Sequence, residues 1–180
     1  MLVSTGHTRG FSLIELMIGL AIAATLLVLA APNFATWSAD GQIRAAAESI
    51  VSGMRYAQTE AIRRNDQVEF VLDPTVGTGK WQAKLLDGTV LQVGVFAEGG
   101  RLAQFTTTPV GALITTFTSL GGVLPANADL TAPIAEVAVS FSASVANTRP
   151  LTVLVGGGRT GIKICDPGVT DTSSPRFCTT

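Results

Sequence analysis

The hydrophobic pattern near the start of the chain is a long apolar run. It extends from Phe11 to Ala31, covers 21 residues and contains one charged residue, Glu15. At roughly 1.5 Å per residue, a helix of this length spans about 31 Å, which matches the hydrocarbon core of a bilayer. The run is longer than that of a cleaved secretory signal, and no small-residue cleavage pattern follows it. We therefore predict a membrane-spanning helix over residues 11–31.

After Pro32 the pattern becomes that of an amphipathic helix. Apolar residues recur at alternating steps of four and three, which places them in one stripe. The stripe comprises Ile43, Ala47, Ile50, Met54, Ala57 and Ala61. Pro32 is expected to kink the helix rather than end it, and Glu60 is spaced to pair with Arg64. We predict that the same helix continues over residues 32–64, interrupted locally in its pattern by Asp40-Gly41, and packs its stripe on a sheet.

From Asn65 onward the pattern is that of short strands separated by turn residues. Asp87-Gly88 is a strong hairpin signal, and residues 125–133, which contain two prolines, are expected to form a loop. The predicted strands cover residues 67–72, 81–86, 90–96, 113–117, 137–141, 151–155 and 162–165. A long helix followed by strands predicts an α+β fold, with a mostly antiparallel domain of one or two sheets over residues 65–180.

Composition limits both the size and the chemistry of this domain. The 180 residues allow one globular domain beside the apolar helix. Lys and Arg number 12 against 13 Asp and Glu, so there is no global basic signal for nucleic acid. The only histidine is His7, upstream of the apolar run, which leaves the rest without a Ser-His-Asp triad or histidine-ligated zinc. We therefore predict no enzyme activity, no cofactor and no metal site.

Glu15 lies close to the start of the apolar run, where a carboxylate is unfavourable. In hydrocarbon it costs about 2.5 to 3.5 kcal/mol at the centre of a helix, and less near an end. One interpretation is a signal anchor in which Glu15 reaches the lipid headgroups. The other is that cleavage between Gly10 and Phe11 creates a terminal amine, which pairs with Glu15 of a neighbouring subunit.

The segment Gly10-Phe11-Ser12-Leu13-Ile14-Glu15, joined directly to the apolar run, resembles the processing motif of type IV prepilins and of the pseudopilins of type II secretion. The resemblance implies that prepilin peptidase removes residues 1–10 as a leader and that Phe11 is N-methylated. It also implies a single span in membrane lipid of the bacterial inner membrane, with the globular domain in the periplasm. An assembly platform then transfers residues 11–31 into a filament core with other pilins or pseudopilins, and Glu15 acts in assembly.

Two further segments resemble the GspH/FimT group of minor pseudopilins and minor pilins. One covers residues 54–65 and continues through a strand to Trp81 before Asp87-Gly88. The other is the tail from Gly158 to Pro167. The resemblance implies a subunit of a type II secretion pseudopilus or of a type IV pilus, supporting protein secretion or pilus biogenesis. The residues do not distinguish these two filaments.

The glycine-rich tail allows two chemical interpretations. Residues 156–161 satisfy G-x-G-x-x-G, but the predicted strand over 162–165 replaces the helix that a dinucleotide site requires. Resemblance to FimT-type proteins implies an alternative function, DNA binding for natural transformation through a tail motif of Gly-Arg-x-Arg. Gly158-Arg159 matches its start and Lys163 is the next cation, so Arg159 and Lys163 are the candidate DNA-binding residues. A hairpin with solvated cations is the structural alternative.

Cys165 and Cys178 are the two cysteines of the chain. An exported chain meets an oxidising compartment, where they can pair. The polar segment between them, which includes Pro167-Gly168, argues against the alternative of two free buried thiols. Their spacing is not the C-x-x-C of redox catalysts. We predict a disulfide that closes a loop at the end of the globular domain.

Overall fold

The structure is a computed structural model, and it describes residues 12–96, 99–141, 145, 147–156 and 161–178, apart from the side chain of Pro32. The chain forms two compact units, Met1–Ala35 and Thr36–Thr180. Within the described residues, helix α1 covers Leu13–Arg64 and is followed by eight strands. These are β1 (Val68–Asp73), β2 (Lys80–Leu85), β3 (Val90–Val95), β4 (Ala103–Thr108), β5 (Ile114–Phe117), β6 (Glu136–Phe141), β7 (Leu151–Val155) and β8 (Ile162–Cys165). This order confirms the predicted α+β class.

The strands of the larger unit form two four-stranded sheets. Their orders are β3-β2-β1-β5 and β4-β6-β7-β8, and the strand pairs are antiparallel. Of the two arrangements that the sequence left open, the molecule adopts the two-sheet one. Residues 125–133 contain no strand, as expected from their prolines. Pro32 lies inside α1, so it does not end the helix.

The amphipathic part of α1 packs on both sheets. All six predicted stripe residues, from Ile43 to Ala61, are completely buried. They share one hydrophobic core with Phe70 and Phe117 of the first sheet and with Val137 and Val153 of the second. The period of the sequence therefore identified correctly the face of the helix that holds the two sheets together.

The helix ends at Arg64, as the sequence predicts. Asn65 has a left-handed φ of 54°, and the Asp66 N–H donates to the Ala61 carbonyl oxygen at 3.1 Å. This hydrogen bond satisfies a carbonyl that the last helical turn leaves open, and asparagine is one of the residues that adopt this backbone conformation most easily.

Glu60 forms an ion pair with both arginines of the last helical turn. Its carboxylate lies 2.7 Å from Arg63 Nη2 and 2.8 Å from Arg64 Nε, so the predicted pair with Arg64 is present. The hydrogen bonds from Arg63 and then Arg64 lower the pKa of the Glu60 carboxyl to about 2. Because the pKa is lowered on folding, the stabilisation is present above the ordinary pKa of glutamate and is lost as the pH falls through about 2.

A recurring turn connects several elements of the globular unit. In each case an aspartate accepts hydrogen bonds from the backbone N–H, and in three cases also the hydroxyl, of the Thr or Ser two residues later. The pairs are Asp73 with Thr75, Asp87 with Thr89, Asp129 with Thr131 and Asp171 with Ser173. These hydrogen bonds lower the pKa of all four carboxyls. The predicted turn at Asp87-Gly88 is one of them, and it connects β2 to β3.

Strand β4, Ala103–Thr108, was not among the predicted strands. Its residues alternate between the core and the solvent, with Ala103 and Thr107 buried and Gln104 and Thr106 exposed. The alternation is present, but alanine and threonine on the buried face give it almost no hydrophobic contrast. All six residues pair with β6, so this segment is held as a strand by its backbone pairing and not by an apolar pattern of its own.

Trp81 of β2 packs directly against α1. The indole lies between two glycines, Gly53 of α1 and Gly94 of β3, and a Cβ at either position would overlap its rings. Its Nε1 donates a hydrogen bond to Ser49 Oγ at 2.9 Å, and its ring stacks on Phe70 at 5.9 Å. The two glycines therefore let the helix and the strand approach the faces of one aromatic side chain.

We expect Gly53→Ala to destabilise the protein, although alanine is the better helix former. The propensity gain is about 1 kcal/mol, whereas forcing a methyl group into a packed core costs about 1 to 3 kcal/mol. Gly41 lies in the same helix and has no atom within 4 Å of an added Cβ. Gly41→Ala should therefore stabilise by up to about 1 kcal/mol. Urea unfolding followed by circular dichroism measures both. Equal stabilisation by both variants would show that Trp81 does not fill the space beside Gly53.

Candidate functional site

The apolar part of α1 begins with a polar N-terminal turn. Ser12 precedes the helix, and its carbonyl oxygen accepts a hydrogen bond from the Leu16 N–H at 3.1 Å. Glu15 lies in the first turn, where a carboxylate interacts favourably with the helix dipole. Ser12 and Glu15 have the spacing of a capping box, a local signal that the sequence analysis did not use.

The side chains of this part of the helix are exposed around its whole circumference. Large apolar residues from Leu13 to Leu29 are more than half exposed, and none of the apolar window is buried within the chain. Among the described residues this helix alone is long and apolar enough to cross a membrane. A surface of this kind needs lipid or other apolar side chains around it, because burial of apolar area outside water is favourable.

Glu15 is exposed, and the described part of the chain offers it no ion-pair partner. If the helix enters hydrocarbon, a carboxylate at this position needs a cationic or hydrogen-bonding partner.

Several predicted site residues lie outside the described part of the chain. These are the leader, residues 1–10, the cleavage and methylation residues Gly10 and Phe11, and the candidate DNA-binding residue Arg159. Their predicted roles stay predictions. Lys163, the other candidate for DNA contact, is described and lies on β8.

Lys163 participates in a contact within the chain. Its Nζ donates a hydrogen bond to the Phe177 carbonyl oxygen at 3.3 Å, and the side chain is half-buried. The contact links β8 to the C-terminal loop. Because Gly161 is followed directly by β8, the glycine-rich segment leads into a strand, and a dinucleotide site of the helical kind is excluded.

Cys165 and Cys178 form the predicted disulfide. It joins the last residue of β8 to the C-terminal loop. The Asp166 N–H also donates to the Arg176 carbonyl oxygen, at 2.8 Å, inside the same loop. The loop contains several turns but no helix or strand among its described residues, and the disulfide links its end covalently to β8.

We expect loss of this disulfide to destabilise the C-terminal loop. In the chain-entropy model a closed loop of this size contributes about 3 kcal/mol. The double variant Cys165→Ala and Cys178→Ala should make residues 166–178 sensitive to protease while the sheets keep their circular-dichroism spectrum. A matched control is Thr172→Ala, which changes the loop and keeps the disulfide. Equal proteolysis of the double variant and the control would contradict the prediction.

A cleft with charged and apolar lining residues lies in the larger unit between α1 and the end of β8. Its volume is about 560 Å³. Its charged lining residues are three arginines and three acids, namely Arg44, Arg149, Arg176, Asp40, Glu48 and Asp166. The Arg149 N–H donates to Asp40 Oδ1 at 2.8 Å. The cleft has no nucleophile paired with a base, and no group of three potential metal ligands occurs in the described residues.

Comparisons with known proteins agree on the class of this chain. Residues 46–158 match the family profile described as type II transport protein GspH. Residues 6–31 match the prokaryotic N-terminal methylation motif. No curated protein is similar to the chain at a significant level.

Among solved structures, the chain is similar to the crystal structure of the type IV minor pilin FimU of Pseudomonas aeruginosa strain PAO1. The two are 19% identical, the similarity covers 62% of this chain and 81% of FimU, and the TM-score is 0.44. The GspH profile alone covers well over half of the chain. Together with the adjoining methylation motif, it shows that this chain belongs to the GspH family of type II transport proteins.

Proposed function

We propose that this chain is a minor pseudopilin or minor pilin that enters a filament after its leader is removed. Prepilin peptidase cuts between Gly10 and Phe11, and Phe11 is N-methylated. The helix then holds the subunit in the inner membrane, with the globular unit in the periplasm, until the assembly platform transfers it to the filament. The observation that supports this proposal is an apolar helix that is exposed on every side and contains one acid, which has no ion-pair partner in the part of the chain that the structure describes.

The physical basis of the mechanism is an exchange of surroundings. In lipid, the apolar surface of the helix is satisfied but Glu15 is not. In a filament, neighbouring helices cover the same apolar surface, and the amine of a neighbouring Phe11 can pair with Glu15. The transfer therefore leaves the buried apolar area nearly unchanged and gives the Glu15 carboxylate a cationic partner.

Membership in the GspH family makes the chain a structural protein and not an enzyme. We propose that its filament is a type II secretion pseudopilus or a type IV pilus, and that the chain supports secretion or pilus biogenesis. The sheets then present surfaces to other subunits or to cargo.

DNA binding for natural transformation is the alternative function. Its candidates are Arg159 and Lys163, but the Lys163 ammonium already donates to Phe177 within the chain. Few phosphate contacts would give only weak, salt-sensitive binding. We therefore prefer the filament function, for which the apolar helix and the family both provide support.

The experiment that tests this function follows the chain in its host. In cells with prepilin peptidase, we expect the chain to occur in the sheared filament fraction. In cells without the peptidase, it should stay in the inner membrane at an unchanged total amount. Equal amounts in the filaments of both strains would contradict the proposal.

A further inference from the structure

Strand β3 has one free edge. It is the terminal strand of the first sheet and pairs with β2 alone. The Phe96 N–H donates to the Gly79 carbonyl oxygen at 3.0 Å. Because backbone groups alternate along an antiparallel strand, those of Gly94 also point to β2, whereas those of Val93 and Val95 point away from it. The described residues give these outward groups no hydrogen-bond partner.

Three valines on this edge are half-exposed, and Gln92 is an exposed polar side chain of the same strand. Val90, Val93 and Val95 are 49%, 46% and 47% exposed. Val93 and Val95 lie on the outer face of the sheet, because Gly94 between them contacts Trp81 on the core side. The segment Thr89–Phe96 has no charge and no proline. Its one irregularity, a shift in register, lies before Val93.

Natural proteins usually protect a free edge with charges, prolines, bulges or covering loops. The edge of β8 follows this rule, because Arg55 Nη2 donates to the Ile162 carbonyl oxygen at 3.2 Å. The edge of β5 is covered by the bridge between Phe117 and Val123. The edge strand β4 exposes the polar side chains of Gln104, Thr106 and Thr108 and is followed by Pro109. Among the described edges, only the Val93–Val95 end of β3, which follows the register shift, is open and has apolar side chains on its outer face.

We propose that the β3 edge binds an extended, uncharged segment of a neighbouring, different filament subunit, which adds as a fifth strand to the first sheet. The unpaired N–H and C=O groups of Val93 and Val95 require an extended backbone, because a strand alone matches their two-residue spacing. The exposed valines require apolar side chains at alternate positions of the partner.

This inference rests on the proposed filament function. The same function indicates which kind of chain supplies the strand that adds to β3. An open filament grows through heterologous contacts, in which one surface meets a different one. Two copies joined β3 to β3 would form a closed, two-fold contact that ends with the pair. The partner strand is therefore not the β3 edge of a second copy. A minor subunit has mostly other subunits as its neighbours in a filament, so we assign the partner strand to one of them.

The test places a photo-crosslinking amino acid at Val95 of the full chain in its host. The control places it at Thr106, on the polar edge of β4. We expect an adduct from position 95 with another pilin-class subunit, mapped by mass spectrometry to an extended segment. Val93→Pro removes an outward N–H and no hydrogen bond to β2, so it should lower the adduct yield about tenfold, equivalent to about 1.4 kcal/mol. Val93→Thr keeps that N–H and should retain the adduct.

Three results would overturn the inference. These are a yield at position 95 no higher than at position 106, an adduct between two copies of this chain, and a yield that Val93→Pro leaves unchanged. The sheared filament fraction separates this inference from the proposed function. Chain present in filaments without the adduct rejects the β3 partner alone, whereas native chain absent from filaments rejects the filament function itself.

Discussion

Replacing Glu15 with alanine is expected to keep the chain in the membrane and out of the filament. In lipid the carboxylate costs up to about 2.5 to 3.5 kcal/mol, and pairing with a neighbouring amine removes this penalty on assembly. Alanine has no such penalty, so the variant helix gains nothing by leaving the bilayer. A difference of this size corresponds to roughly a hundredfold less chain in the filament fraction. Quantitative immunoblots of membrane and sheared fractions measure it.

The control for this variant is Glu48→Ala, which removes an exposed acid from the amphipathic part of the same helix. It should enter the filament at the normal level. Membrane insertion should be retained in both variants, because alanine is tolerated in the spanning helix and Glu48 lies outside it. If Glu15→Ala assembles as well as Glu48→Ala, the carboxylate has no role in assembly. The other interpretation, a signal anchor in which Glu15 reaches the lipid headgroups, is then preferred.

Replacing Trp81 with alanine is expected to have the largest effect on the stability of the globular unit. The side chain is 4% exposed and contacts Gly53, Gly94 and Phe70. Truncation of a buried tryptophan costs about 3 to 5 kcal/mol, and neither glycine has a side chain to fill the space. For a chain of this length we expect the melting temperature to fall by about 10 °C, as measured by circular dichroism.

Leu120→Ala is the control, because Leu120 is a large apolar side chain that is 92% exposed. It should change the free energy of unfolding by no more than about 0.5 kcal/mol. In the Trp81→Ala background, Gly53→Ala should no longer destabilise, since the overlap is gone and only the helix propensity is left. An unchanged cost of Gly53→Ala in that background would mean that the contact with Trp81 does not explain the need for glycine.

The parts of the fold with strong hydrophobic contrast were predictable from the sequence. The helix stripe repeats with one clear period, so its buried face and its end at Arg64 follow from the pattern. Strands β7 and β8 have the predicted bounds for the same reason. Strand β4 could not be found in this way, because Ala103 and Thr107 occupy buried positions without being strongly apolar.

The contacts between elements were less accessible to sequence reasoning. The sequence placed Gly53 inside a helix, where glycine is unfavourable, but gave no reason for it. The structure supplies the reason, because the indole of Trp81 on β2 packs against Gly53. The open edge of β3 likewise depends on strand order, which an alternating pattern does not determine. The processing motif at Gly10 and Phe11 could be identified from the sequence alone, because it consists of adjacent residues and does not depend on packing between elements.

The most direct test of the filament account is the mass of the chain taken from assembled filaments. Mass spectrometry of the N-terminal peptide should show that residues 1–10 are absent, that the chain begins at Phe11, and that its amine bears one methyl group. Chain that is assembled and functional with residues 1–10 still attached would contradict the account, because Phe11 would then have no free amine to offer to Glu15.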